Sequence, residues 1–269
     1  MIRKATRRLG QHFLEPAWVN KVVEAIDPCP SDVFLEIGPG RGELTLPLAA
    51  RVTRVLGIEV DWKLAANLRA RAPLNVTILT ADVLTADLER LPGIGPQPWR
   101  AMGNLPYSIS PKIIRRLLSV SGHGTRLRDA TVMLQREVAD RVTAAPGSPD
   151  WGPLAVMTSL HANARRMLSL PPGAFRPMPR VSSAVVQLRF IQPPIRLSDP
   201  ALFESLVRRL FSQRRKMALN ALRSFVEEIG RLSTEKVFTL AKVDPHRRPG
   251  ELKLSELADL SEVLASSRS

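Results

Sequence analysis

Between Val33 and about Leu134, short unbroken apolar runs alternate with stretches whose apolar residues recur every three or four positions. That alternation predicts parallel strands joined by helices, an α/β doubly wound sheet. VFLEIG (33–38), VLGIEV (55–60), VTILTAD (76–82), WRAMGN (99–104) and TVMLQ (131–135) read as five strands. ELTLPLAARV, DWKLAANLRARA and PKIIRRLLSV read as helices between them, the last with Ser110 as its N-cap and Pro111 in its first position. LERLPGIGPQP, dense in Pro and Gly, reads as loop. Farther on, Ser182–Ile191 alternates, with Val186, Leu188 and Phe190 on one face, and predicts a late strand. The four prolines of PPGAFRPMPRV before it predict a shaped loop rather than a helix or inner strand. After a linker at Gln192–Pro200 the periodicity is helical only, with stripes of Leu202, Phe203, Leu206 and Leu210 and of Leu252, Leu254, Leu257 and Leu260. The expected division is therefore 1–197 for the sheet domain and 198–269 for a small all-helical domain.

Length and composition fit that picture: 269 residues, 44% of them hydrophobic, suffice for a large domain with a small companion. Charged residues interrupt every apolar stretch, so no membrane span is expected, and the basic N-terminus lacks the apolar core of a signal peptide. A cytoplasmic protein is expected. One cysteine, Cys29, and four histidines without ligand spacing point to no disulfide and no metal. The 39 Lys and Arg against 25 Asp and Glu, a net charge of +14, point to a polyanionic partner. Between Arg176 and Arg223 stand ten basic residues and only two acidic ones, Asp199 and Glu204, and Arg3, Lys4, Arg7 and Arg8 add to the excess. Clustering favours nucleic acid over an ordinary solvated surface.

EIGPGRG sets Gly38, Gly40 and Gly42 between the first strand and its helix, where glycine permits a sharp turn and a close ligand approach. Glu43 stands where the last glycine of G-x-G-x-x-G would fall, which argues against a pyrophosphate. Such a turn alone is often only a tight connection. Glu59 at the second strand end, placed to accept ribose hydroxyls, and Asp82 at the third, placed to accept from an adenine amine, make a nucleoside crevice the better reading. The fourth strand ends in Asn104-Leu105-Pro106-Tyr107. An exocyclic aromatic amine is a poor nucleophile because its lone pair is delocalised. Accepting its hydrogens at Asn104 Oδ1 and a carbonyl of Leu105-Pro106 would draw the nitrogen toward tetrahedral geometry, and the ring of Tyr107 would hold an extruded base.

These residues resemble the small-subunit ribosomal RNA adenine N6,N6-dimethyltransferase family. The likeness runs from GQHFL through EIGPGRG, GIEVD, TAD, GNLPYSIS, MLQREVADR, WGPLAV and PPGAFRPMPRVSSAVV to FSQRRKMALNAL, nearly the whole chain. It implies a Rossmann-like class I S-adenosylmethionine-dependent methyltransferase sheet with a C-terminal helical rRNA-binding domain. It further implies dimethylation of two adjacent adenines near the 3′ end of 16S rRNA in the 30S subunit, and a role in subunit biogenesis. By family pattern His12, Leu14, Gly38, Gly40, Glu59, Asp82 and Asn104 would contact the cofactor. Asn104, Leu105, Pro106 and Tyr107 would be catalytic, with Phe175 of the F-x-P-x-P loop sandwiching the base. Arg214, Arg215 and Lys216 would form a basic helix against rRNA. A monomer is expected. Two alternatives stay open: a 23S rRNA adenine N6-methyltransferase of the macrolide-resistance type, and a 30S assembly factor whose methylation is secondary. A nicotinamide oxidoreductase is the rival from another class.

Overall fold

The computed structural model describes residues 12–122, 126–229 and 231–268; the basic residues Arg3 to Arg8 lie outside them. The described chain opens with β1 (Phe13–Leu14) and α1 (Pro16–Ile26), which buries Val19, Val22, Val23 and Ile26. There follow β2 (Val33–Ile37), α2 (Thr45–Ala49), β3 (Arg54–Glu59), α3 (Trp62–Arg69), β4 (Val76–Thr80), β5 (Trp99–Asn104), α4 (Ser110–Gly122) and β6 (Leu127–Gln135). Then come α5 (Arg136–Val142), α6 (Pro153–His161), β7 (Ala162–Leu170), β8 (Phe175–Arg176) and β9 (Ser183–Phe190). Helices α7 (Pro200–Ser212), α8 (Ala218–Ile229), α9 (Thr234–Ala241) and α10 (Leu254–Arg268) complete the sequence of elements.

Seven strands form one sheet in the order β4-β3-β2-β5-β6-β9-β7. β2, β3, β4, β5 and β6 are mutually parallel, and β9 runs antiparallel to both its neighbours. β2 is buried at all five positions, as a central parallel strand covered on both faces must be, which is why VFLEI reads as an unbroken run. The order of strands reverses between β2 and β5, and such a switch point leaves a crevice beyond the carboxyl ends of the strands.

All six anticipated strands form, with β6 reaching back to Leu127. β7 was not anticipated: Arg165 and Arg166 break its apolar pattern, and its register against β9 shifts between Arg166 and Leu168. The proline loop holds a 3₁₀ turn at Pro172–Ala174 and the two-residue β8, which pairs with β1. Ser110 does not cap α4 as expected. It is the first helical residue, and its Oγ donates to the Tyr107 carbonyl at 3.3 Å.

Two compact units emerge, the second comprising Asp140–His161 together with the chain from Gln192 onward. The helical unit thus takes in a segment that the sequence reading left within 1–197. Trp151 explains its membership: it is fully buried, packs with Phe203, Leu206, Leu210 and Leu260, and its Nε1 donates to the Leu252 carbonyl at 3.0 Å. The stripe on α7 faces this same core. Among the described residues no helix is long and apolar enough to cross a membrane.

Candidate active site

A cavity opens at the carboxyl edge of the sheet, beside the switch point. His12, Leu14, Gly38, Gly40, Glu59, Asp82, Asn104, Leu105, Pro106 and Tyr107 all line it, so residues spread over 96 positions of sequence meet in one place. The glycine turn shapes its floor. Gly42 has φ +83°, a backbone conformation that favours glycine, and a Cβ there would lie 2.5 Å from Leu68 Cδ1, so a side chain would also push against the packing of α3 on the turn. Gly103, which sequence reasoning passed over, has a tighter constraint: a Cβ would lie 2.4 Å from the Ile37 carbonyl oxygen. Its position one residue before Asn104 is what lets β5 deliver that side chain beside β2.

The charge of the lining is opposite to that of the protein. Glu36, Glu43, Glu59 and Asp82 line the cavity, and no lysine or arginine is among its described lining residues. Glu59 Oε2 accepts from the Gly40 amide at 3.0 Å and Oε1 from the Asp61 amide at 2.9 Å. Each oxygen retains a second acceptor direction. Burial raises the Glu59 carboxyl above its ordinary pKa, against the lowering effect of those two amides. Burial also raises Glu43, and it pushes Glu36 up to about 8 despite the Thr45 hydroxyl that donates to Glu36 Oε2 at 2.6 Å. Asp82 is exposed, and its Oδ1 accepts from the Leu84 amide at 2.9 Å, which fixes the turn after β4. Sequence reasoning missed Glu36 and Glu43; the acidic residue inside an apolar strand, VFLEI, was the available signal for the first.

The Asn104–Tyr107 run is held from several sides. Asn104 Nδ2 donates to the His12 carbonyl at 2.7 Å, which commits the donor end of the amide to the chain and leaves the acceptor end, Oδ1, for a ligand. The Leu105 amide donates to the Met133 carbonyl at 3.3 Å, and Tyr107 Oη pairs with Ser183 Oγ at 2.7 Å. Burial raises the Tyr107 phenol above its usual pKa, opposed by the Ser183 hydrogen bond. His12 stacks on Tyr107, ring centroids 5.3 Å apart, and its Nδ1 lies 2.6 Å from the Pro177 carbonyl. One histidine thus joins the asparagine, the tyrosine and the proline loop.

Two expectations are corrected. Phe175 does not present its ring to the cavity: it is 0% exposed, pairs with Leu14 across β1 and β8, and belongs to the core cluster with Met102, Leu170 and Val185. Met178 and Val181 are the large apolar side chains that the loop exposes among the described residues. Nor do Arg214, Arg215 and Lys216 form a helix; they occupy the turn between α7 and α8. Arg215 and Lys216 are exposed there, whereas Arg214 is half-buried and donates to the Ser148 carbonyl at 3.1 Å.

A sheet of this order, with its cavity at the point of reversal and a single antiparallel strand, is that of the Rossmann-like methyltransferases. Comparison with known proteins narrows the class. The model of the family described as ribosomal RNA adenine dimethylase matches residues 2–264, and the chain belongs to that family. It is an rRNA adenine dimethyltransferase. The chain is 38% identical over 266 residues to the ribosomal RNA small subunit methyltransferase A of Pseudomonas aeruginosa, covering 97% of this chain and 95% of that one. It is 36% identical over 266 residues to the protein of that name from Aromatoleum aromaticum, covering 98% and 95%. Among solved structures, the 23S rRNA methyltransferase ErmE matches with a TM-score of 0.68 at 26% identity, covering 94% of this chain and 99% of that one. A dimethyladenosine transferase from Plasmodium falciparum shares the fold, with a TM-score of 0.76 at 22% identity, covering 93% and 96%.

Proposed function

We propose that this chain dimethylates N6 of two adjacent adenines near the 3′ end of 16S rRNA within the 30S subunit, using S-adenosylmethionine, as a cytoplasmic monomer that serves small-subunit biogenesis. The observation that carries this reading is the fixed amide of Asn104, whose donor end is bound to His12 in a cavity of carboxylates.

S-adenosylmethionine fits the lining: its sulfonium and ammonium meet carboxylates, whereas the pyrophosphate of a nicotinamide cofactor would meet four acidic side chains and, among the described residues, no lysine or arginine. Glu59 would accept from the ribose hydroxyls through its remaining lone pairs, Asp82 from the adenine amine, and Gly38 and Gly40 would admit the ligand to the backbone. When bound, the cofactor supplies an electrophilic methyl group on a positively charged sulfur. The chain's own part is alignment and charge. Asn104 Oδ1 and a carbonyl of the Leu105-Pro106 stretch accept the two hydrogens of the adenine amine and stabilise the positive charge that grows on N6. Tyr107, clamped by Ser183 and His12, bounds the pocket that takes the base. No strong base is needed, because the methylated N6 is attached to the purine ring: its proton passes readily to water as the lone pair rejoins the ring. Arg215 and Lys216 would engage rRNA phosphates from the turn between α7 and α8, in a C-terminal helical region that binds rRNA.

The likeness to ErmE supports a second reading, methylation of a 23S adenine. Transfer of radiolabelled methyl groups to undermethylated 30S particles, with 23S rRNA as competitor, separates the two. Asn104→Ala is expected to lower transfer about 10²–10³-fold while leaving particle binding nearly unchanged. Equal transfer by the variant would remove Asn104 from its role. Binding without transfer by the wild type would leave an assembly factor.

A further inference from the structure

The cavity contains a carboxyl group that the mechanism above does not use. Glu36 is 2% exposed, sits in the centre of the sheet on β2, and nevertheless lines the cavity with Asn104 and Glu59. Its backbone pairs with Gly57 of β3 and Met102 of β5, two residues short of Asn104. The groups that face it are Thr45, which donates to Oε2 at 2.6 Å, and the carboxylates of Glu43 and Glu59, both of which repel its charge. His12, Asp82 and the phenol of Tyr107 complete the ionisable lining, and no lysine or arginine belongs to it among the described residues. Arg41 and Arg71 act on Glu43 from outside. A carboxylate so placed is almost wholly desolvated and, among the described residues, faces no lysine or arginine, so its charged form is costly until a cation arrives.

We propose that Glu36 is a specificity-determining residue that separates the methyl donor from its demethylated product, ionising when a sulfonium enters the cavity and remaining protonated when the uncharged thioether does. The inference rests on the cofactor reading given above. The two ligands share their adenosine, ammonium and carboxylate groups and differ by one methyl group and one positive charge. Contacts to the shared groups therefore cannot tell them apart, and product that binds as tightly as donor would block turnover. A carboxyl that lines the same cavity as Asn104, coupled to that single charge, discriminates between them without any movement of the chain. Since its pKa is raised to about 8, Glu36 starts protonated near neutrality and gives up a proton to admit the donor.

Isothermal titration in buffers of low and high ionisation enthalpy tests this on the intact protein, with S-adenosylmethionine and S-adenosylhomocysteine as probes. At pH 7 the wild type is expected to release close to one proton more than Glu36→Gln on binding the donor, and no more than the variant on binding the product. The donor-to-product affinity ratio of the wild type should climb roughly tenfold per pH unit below the Glu36 pKa and level off above it. That ratio should be flat in Glu36→Gln. Thr45→Val removes the hydroxyl that favours the carboxylate, so its plateau should begin at higher pH, which preserves the test if Glu36→Gln does not fold. Equal proton release with donor and product, or a pH-dependent ratio that survives Glu36→Gln, would overturn the inference while leaving donor binding intact. No heat with either ligand would instead overturn the cofactor reading beneath it.

Discussion

The two edges of the sheet treat buried charge in opposite ways. At the amino edge Arg100 is 4% exposed and fully answered: Nε donates to Asp129 at 2.8 Å, Nη1 to Asp32 at 2.8 Å, and Nη1 and Nη2 to the carbonyls of Asp27 and Ile26 at 2.9 and 2.8 Å. Burial works to lower the guanidinium pKa, but the hydrogen bonds and charges of Asp129 and Asp32 outweigh it and the net shift is upward. At the carboxyl edge Glu36 and Glu59 are equally buried, yet the cavity they line offers them hydroxyl and amide donors and, among the described residues, no lysine or arginine. One edge closes its electrostatics within the chain and holds strands together. The other leaves them open, and an open site takes its counter-charge from a ligand.

The sharpest way to break this contrast is Arg100→Met, which takes the buried guanidinium from Asp32 and Asp129 and leaves them the half-exposed Arg128, at 3.1 and 3.4 Å. It should cost about 3–5 kcal/mol in urea unfolding while the folded fraction binds cofactor as before. A loss under about 1 kcal/mol would mean that the network is not closed as described. Gly103→Ala attacks the other edge through geometry. The added methyl meets the Ile37 carbonyl, so a stability loss of about 1–3 kcal/mol is expected, with a turnover loss out of proportion to it because Asn104 is displaced.

Proton linkage gives a third test. The Glu36 pKa is raised in the folded state, from 4.5 to about 8, so the unfolded chain ionises first and the apo protein loses stability as pH rises through that window. The loss should approach about 5 kcal/mol at most, and Glu36→Gln should flatten the slope between pH 5 and 8. The smallest effects are expected on the turn after α7. Arg215→Ala with Lys216→Ala should reduce the salt dependence of rRNA binding by about two phosphate contacts with stability within about 0.5 kcal/mol of wild type. Arg214→Ala should cost about 1 kcal/mol of stability through its lost bond to Ser148.

Much of this was legible in the sequence because parallel strands announce themselves as apolar runs and their ends carry the chemistry: Gly38, Glu59, Asp82 and Asn104 all follow from strand position. What escaped depends on direction in space. An aromatic before a proline turn reads the same whether it faces a ligand or, like Phe175, the core. A basic run continues a helix or breaks it according to contacts such as that of Arg214 with a residue 66 positions away. β7 escaped because an edge strand exposes Arg165 and Arg166 without losing its ladder to β9. Gly103 and Glu36 each open a quoted motif, GNLPYSIS and EIGPGRG, but their roles depend on the closeness of β2 and β5.

The central claim is that the carboxylate-lined crevice of this basic protein selects a cationic nucleoside. Thermal denaturation with S-adenosylmethionine and with NAD, each titrated against the folded chain, tests it most directly. The account predicts a concentration-dependent rise in Tm with the sulfonium and none with the dinucleotide. Stabilisation by NAD alone would contradict it.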